Sequence, residues 1–262
     1  MRALSIAATG MSAQQLNVEV ISNNIANSST TGFKASRAEF QDLLYQNMRT
    51  VGSASSDAGT LLPSGLQVGL GVMPAATYRI NTQGNISVTN NTLDLAINGR
   101  GFLQVQMPDG TTSYTRAGSL QLNASGQLVT ADGYPVLPSV TVPTTATAIT
   151  INASGQILAT VAGQTAQQTL GQLQLANFVN PVGLEATGNN LLKQTDASGS
   201  PTTANPGSSG FGTIVQGSLE TSNVDIVSEV TNLITAQRGY EMNSKVITAA
   251  DQMMNTSGQM KV

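Results

Sequence analysis

The 262-residue sequence contains no cysteine, no histidine and no tryptophan. Without thiols there is no disulfide framework and no thiol nucleophile. Without imidazole there is no Ser-His-Asp triad and no Cys/His zinc site. An all-carboxylate metal site or a Ser-Lys nucleophile is what these absences leave. Charge is scarce as well: Asp, Glu, Lys and Arg make up 10% of the chain, against about 25% in ordinary soluble domains. The 11 basic and 14 acidic residues give a net charge of −3. The basic residues are dispersed, which argues against a nucleic-acid partner. No apolar run approaches the roughly 18 residues of a membrane span. Thr9 and Gly10 interrupt the apolar character of Met1–Ser12, so passage out of the cytoplasm is expected by a route that needs no cleaved leader.

What is present in place of charge is neutral polarity. Ser, Thr, Asn and Gln total 98 residues. A solvated monomer normally keeps itself soluble with charge. A surface this poor in charge is expected to be covered, and copies of the same chain are the plainest cover.

Both ends of the chain carry helical periodicity. Leu4, Ala7, Met11, Gln14, Val18, Ile21 and Ile25 recur at alternating spacings of three and four, a heptad seam. Near the C-terminus, Ile226, Val230, Leu233, Gln237, Tyr240, Ser244, Ile247 and Met254 repeat the pattern, with Asp251 as the polar member between the last two. Ser222 or Asn223 is expected to cap this second helix, and Glu241 with Lys245 forms an i,i+4 pair. The seam residues Leu4, Met11, Val18, Ile21, Ile25, Ile226, Val230, Leu233, Tyr240 and Ile247 are the candidate assembly interface. Because burying half a dozen apolar side chains does not offset the ordering cost of such a helix and the outer faces are weakly polar and uncharged, the termini are expected to be poorly ordered in the free chain and to fold when packed among copies.

Between them the period shortens to two. Leu93–Ile97, Phe102–Met107, Ser119–Leu122 and Gly171–Leu175 alternate like half-buried strands, with turn signals at Asp109-Gly110, Ser125-Gly126, Asp132-Gly133 and Ser154-Gly155. Asn123-Ala124-Ser125-Gly126-Gln127-Leu128 returns as Asn152-Ala153-Ser154-Gly155-Gln156-Ile157, which reads as one hairpin turn used twice. Gln46–Gly71 and Asp196–Gly212 read as extended connections. The expected fold class is α+β. Paired, coiled-coil-like terminal helices (1–32 and 220–262) bracket a mostly antiparallel β domain (78–187), joined by extended arms (33–77 and 188–219).

No catalytic constellation emerges. Asn98-Gly99-Arg100-Gly101-Phe102 lacks the third glycine and the following helix of a dinucleotide fingerprint, and a tight turn is the reading there. No cofactor or metal is expected.

Three stretches carry a resemblance. Ile21–Lys34 (ISNNIANSSTTGFK) resembles the N-terminal signature of the bacterial flagellar rod and hook family. Glu220–Asp225 (ETSNVD), continued by Ala236–Glu241 and Asp251-Gln252-Met253, is similar to the matching C-terminal signature. Asp94–Phe102 (DLAINGRGF) resembles the motif that opens the family's β domain, although Leu103 stands where a second aromatic is common. Pro108-Asp109-Gly110 and Tyr114–Gly118 (YTRAG) also fit. Within the family, Asp42–Gln46 followed by a long stretch to Leu62–Gly69 resembles the segment of distal rod members; Gln46, Pro63, Gly65 and Gly69 are its candidate residues.

The resemblance implies a non-enzymatic subunit that polymerises helically into a rigid, hollow drive shaft. It implies terminal helices lining an export channel, arms forming a middle layer and the β domain lying outside. It further implies export through the flagellar type III apparatus, a place in the rod across the periplasm, and, as partners, proximal rod proteins, hook protein and the P- and L-ring proteins. A proximal rod or hook-type subunit stays open as an alternative. So does, from a different class, a secreted polysaccharide-acting enzyme using Asp94, Asp109 and Asp132.

Overall fold

The computed structural model describes residues 2–50, 64–161 and 166–259. They divide into two compact units. The first holds residues 1–25, 36–78 and 226–262, and the second residues 26–35 and 79–225.

In the first unit, helix α1 spans Arg2–Ala26 and helix α2 spans Ile226–Gln259. Strands β1 (Ser36–Asp42) and β4 (Val72–Arg79) pair with each other. Strands β2 (Tyr45–Arg49) and β3 (Leu66–Gly69) form an antiparallel hairpin with Tyr45 opposite Gly69 and Gln46 opposite Val68. The stretch expected as an extended arm is therefore strand at both of its described ends. Helix α1 ends where the polar run Asn27–Thr31 begins, and Gly32 takes a left-handed φ of +68° that few other residues adopt.

The second unit is built of short antiparallel strands. These are β5 (Ile86–Val88), β6 (Leu95–Asn98), β7 (Phe102–Gln106), β8 (Thr112–Thr115), β9 (Gln121–Leu122), β10 (Leu128–Val129), β11 (Val136–Leu137) and β12 (Ala146–Ile151). They continue as β13 (Gln156–Val161), β14 (Gln168–Gln172), β15 (Leu175–Asn177), β16 (Glu185–Gly188), β17 (Leu191–Lys193), β18 (Thr202–Ala204), β19 (Thr213–Gln216) and β20 (Ser218–Glu220). The main sheet runs β16-β17-β8-β7-β15-β18, with β11 also pairing β7. A second sheet runs β12-β13-β14, and the pairs β19-β6 and β20-β5 complete the unit.

The core lies where the alternation predicts it. Leu95, Leu120, Leu128, Ile151, Ile157, Leu173 and Ile214 form one buried cluster. Phe102, Tyr114 and Phe178 form another, with the Tyr114 and Phe178 rings edge-on at 4.7 Å. The repeated hexapeptide makes the same turn twice. Asn123 Oδ1 accepts from the Ser125 and Gln127 amides, Asn152 Oδ1 accepts from the Gln156 amide, and Gly126 and Gly155 take φ of +74° and +82°.

Three local expectations differ from the structure. Residues 188–219, read as a returning arm, contribute β17, β18, β19 and most of β20 to the β unit, because Leu191 and Ile214 are buried in its cores. Asn223 does not cap α2: its side chain accepts from the Ala35 amide at 2.7 Å and donates to the Ile80 carbonyl at 2.8 Å. Glu241 and Lys245 form no ion pair within 4.0 Å, as expected of an exposed pair whose gain barely exceeds its side-chain entropy.

Candidate functional site

The carboxylate of Glu220, fully buried, gathers the ends and the middle of the chain. Its Oε1 accepts from Lys34 Nζ at 2.5 Å and from the Gly84 amide at 3.0 Å; its Oε2 accepts from Arg116 Nε at 2.9 Å. Lys34 also donates to the Thr82 carbonyl at 2.7 Å. Arg116 extends onward to the carbonyls of Gly99 (2.9 Å) and Gly101 (2.6 Å), and its guanidinium lies 6.0 Å from the Phe102 ring centroid. The only two ion pairs among the described residues are these. Burial by itself would raise the Glu220 carboxyl above its ordinary value. The adjacent Arg116 charge, the Lys34 bond and the Gly84 amide outweigh it and hold the group below that value. Burial draws the Lys34 ammonium down, and Glu220 restores part of the loss.

Backbone closes around this clasp at glycines. The Gly32 amide donates to the Glu220 carbonyl at 2.8 Å. A Cβ on Gly32 would lie 2.8 Å from the Ala117 nitrogen, and one on Gly118 would lie 1.6 Å from the Leu95 carbonyl oxygen. The glycines of TTGFK and YTRAG thus permit close approach of main chains.

In the first unit, Asn24 clamps the start of β1. Its Nδ2 donates to the Ser36 carbonyl and its Oδ1 accepts from the Ser36 amide, both at 2.8 Å. Asn24 Nδ2 also lies 3.4 Å from Glu229 Oε2 on α2. A Cβ at Gly10 would meet Asn243 at 2.9 Å, and one at Gly239 would meet Gln14 at 3.3 Å. Residues 10, 14 and 24 thus face 243, 239 and 229, so the helices run antiparallel. The inward line on α2 is Glu229, Leu233, Ala236, Gly239, Asn243, Ile247 and Ala250, of which Ala236 and Ala250 are buried. Ala236, Gly239 and Ala250 on this line let the backbones approach.

The expected seam residues are distributed between two environments. Ile21 is buried; Leu4, Met11, Val18, Ile25, Leu233 and Ile247 are half-buried. Ile226, Val230 and Tyr240 are exposed. They belong with Val227, Ile234, Met242, Val246 and Met253 to apolar surface on α2 that no described residue covers, Val227 being 75% exposed. Of the arm residues, Gln46 lies on β2, Gly69 ends β3 against the Tyr45 ring and Gly65 precedes β3. Pro63 lies outside the described residues. Leu44 (83% exposed), Tyr45, Met48 and Leu66 make this hairpin apolar on its surface.

The three aspartates of the enzyme alternative sit in separate places: Asp94 bridges Ser119 ahead of β6, and Asp109 and Asp132 lie in two different turns. Asp94 accepts from Thr89 and Asn91, Asp109 holds the Thr111 amide and hydroxyl, and Asp132 tips the turn closed by Thr130 and Tyr134. Two are thus engaged in local hydrogen bonds, Asp94 with neighbouring side chains and Asp109 with the Thr111 amide and hydroxyl. Sequence reasoning did not find the Glu220 clasp. The available signal was that Lys34, Arg116 and Glu220 each fall inside a quoted motif of a chain with few charges.

Three family models match the chain in order. "Flagella basal body rod protein" covers residues 4–34, "Flagellar hook protein FlgE/F/G D1 domain" residues 96–159, and "Flagellar basal body rod FlgEFG protein C-terminal" residues 215–260. Each matched stretch supplies one member of the clasp. Among curated proteins, the chain is 56% identical to the flagellar basal-body rod protein FlgG of Caulobacter vibrioides, over the whole of both chains. It is 45% identical to FlgG of Borreliella burgdorferi and 38% identical to FlgG of Bacillus subtilis, covering all of this chain and 99% of each relative. With family segments at both ends and in the middle converging on one buried carboxylate, and identity to FlgG proteins running from end to end, the chain belongs to the FlgG family of flagellar basal-body rod proteins.

Proposed function

We propose that this structural rod subunit polymerises helically into the distal part of the rod, as a stiff hollow shaft carrying torque from motor to hook. The observation that carries the reading is the two-sided α2: one line of residues, from Glu229 through Ala236 and Gly239 to Ala250, faces α1, and large apolar residues lie exposed on other faces. Such a face is costly in water, at about 25 cal/mol per Å² of apolar surface left uncovered. Heterologous contacts that do not close into a ring generate a filament. The terminal helices form the inner layer with coiled-coil-like packing between copies, and the apolar β2-β3 hairpin braces neighbours. Stiffness follows from many close-packed contacts, since packed interiors deform little. Neighbours along the axis are proximal rod proteins and hook protein. The P- and L-ring proteins surround the shaft across the periplasm, and the chain reaches it through the flagellar export apparatus.

Electron microscopy of purified basal bodies carrying a tagged chain tests this. The tag is expected along the rod segment next to the hook; a tag confined to the base of the rod would place the chain proximally. Val230→Asp with Ile234→Asp is expected to give exported chain but no distal rod. Rods of normal length in that variant would remove α2 from the interface.

A further inference from the structure

Beside the clasp, in the β unit, lies a cavity of about 430 Å³. Lys34, Arg100 and Arg116 line it, with Phe102 and Phe178 also on its wall and Val179, 91% exposed, at its edge. Three of the chain's 11 basic residues thus face one cavity, and no carboxylate is among the lining residues. The single acid in contact with these cations, Glu220, already has both oxygens engaged by Lys34, Arg116 and the Gly84 amide. The local balance is three cations to one carboxylate, in a molecule whose net charge is −3. The Arg100 carbonyl accepts from the Gly212 amide at 2.7 Å, while its exposed side chain makes no hydrogen bond or ion pair with any described residue. Its guanidinium presents a planar fork suited to bidentate capture of a carboxylate.

We infer that this cavity is a socket for a carboxylate side chain of a second copy of the chain, received by Arg100 with Lys34 and Arg116 behind it. The occupant follows from charge and setting. Acidic residues outnumber basic ones, and exposed acids such as Asp132 and Asp196 carry no hydrogen bond or ion pair to described residues. The inference rests on the rod reading, which places copies against one another at high local concentration. The apolar wall strengthens a charge pair seated there by excluding water.

The one lysine lining the socket, Lys34, is buried and paired with Glu220, so an exposed amine introduced at position 100 makes a direct test available. Arg100→Lys places a primary amine there, and a water-soluble carbodiimide joins an amine to a carboxylate without a spacer. Basal bodies carrying this variant are treated and the cross-linked peptides identified by mass spectrometry. The expected product is a bond between position 100 and an Asp or Glu of another copy, absent from the wild type and from dilute monomeric variant. A bond from position 100 to a different rod or ring protein would overturn the choice of partner. No bond at position 100, in assembled rods whose exposed Lys193 does react, would overturn the socket. Failure of the variant and the wild type alike to enter basal bodies would instead overturn the rod reading. As an independent arm, Arg100→Glu is expected to leave the purified chain's thermal unfolding within about 2 °C of wild type while at least halving swimming-halo diameter; an unchanged halo would overturn the inference.

Discussion

Glu220 shows how one residue can carry more than its local structure indicates. It ends a three-residue strand, yet it closes bonds across sequence separations of 186 and 104 residues. Removing one partner of a buried ion pair leaves the others unpaired and typically costs about 3–5 kcal/mol. Glu220→Ala is accordingly expected to lower the urea midpoint of the β unit by more than any surface substitution. The pH dependence has a definite sign. The folded carboxyl lies below its ordinary value of 4.5, so its contribution is complete above that value and is lost as pH falls through the lowered one. Urea titrations at pH 7, 4 and 3 are expected to show a steeper acid loss in wild type than in Glu220→Gln. Gly118 makes a second case. A methyl there would lie 1.6 Å from a carbonyl oxygen, so Gly118→Ala must displace main chain. Gly133→Ala meets nothing within 4 Å but takes a φ of +85°. It is expected to cost about 1–2 kcal/mol from backbone strain alone, and Gly118→Ala clearly more.

At the scale of elements, the two terminal helices are defined by what small residues permit. Gly10 and Gly239 each weaken an isolated helix by about 1 kcal/mol relative to alanine, yet each sits where the opposite helix comes close. Gly10→Leu is expected to raise intrinsic helicity and still abolish motility, because its side chain would occupy the space of Asn243. Gly258, with open space around it, is the control: Gly258→Ala is expected to preserve motility. The inward line on α2 passes through Ala236, Asn243 and Ala250, which a search for large apolar residues overlooks. The large residues that made the seam legible at Val230 and Tyr240 instead remain on the surface. In the β unit the local code was more direct. Asn123 and Asn152 direct two matching turns, and Asn152→Ala, which removes the acceptor of the Gln156 amide and the Ser154 hydroxyl, is expected to cost at least about 1 kcal/mol, read as a shift in thermal midpoint.

At the scale of the whole molecule, low charge and exposed apolar surface are what the proposed assembly would cover. If, as proposed, the helices draw part of their burial from copies, hydrogen exchange on dilute monomer is expected to show slow amides at Leu103 and Leu175 and fast amides over residues 4–25. Strong protection of 4–25 in monomer would mean that the terminal helices need no partner. Rod assembly is expected to slow exchange there by at least tenfold, with the β core unchanged.

The sequence by itself determined the helical ends, the period-two middle, the twin turns and, through three motifs, the family. Each of these is written in spacings of a few residues, where backbone geometry and side-chain period act directly. Only the tertiary structure decided that residues 188–219 join the β unit, that Asn223 binds Ala35 and Ile80 in place of capping a helix, and that three scattered charges share one carboxylate. Those outcomes depend on contacts between residues far apart in the sequence, from Leu191 opposite Thr115 to Asn223 against Ala35. No local periodicity encodes them, because the energy that selects them comes from burying and pairing groups that meet only once the chain has folded.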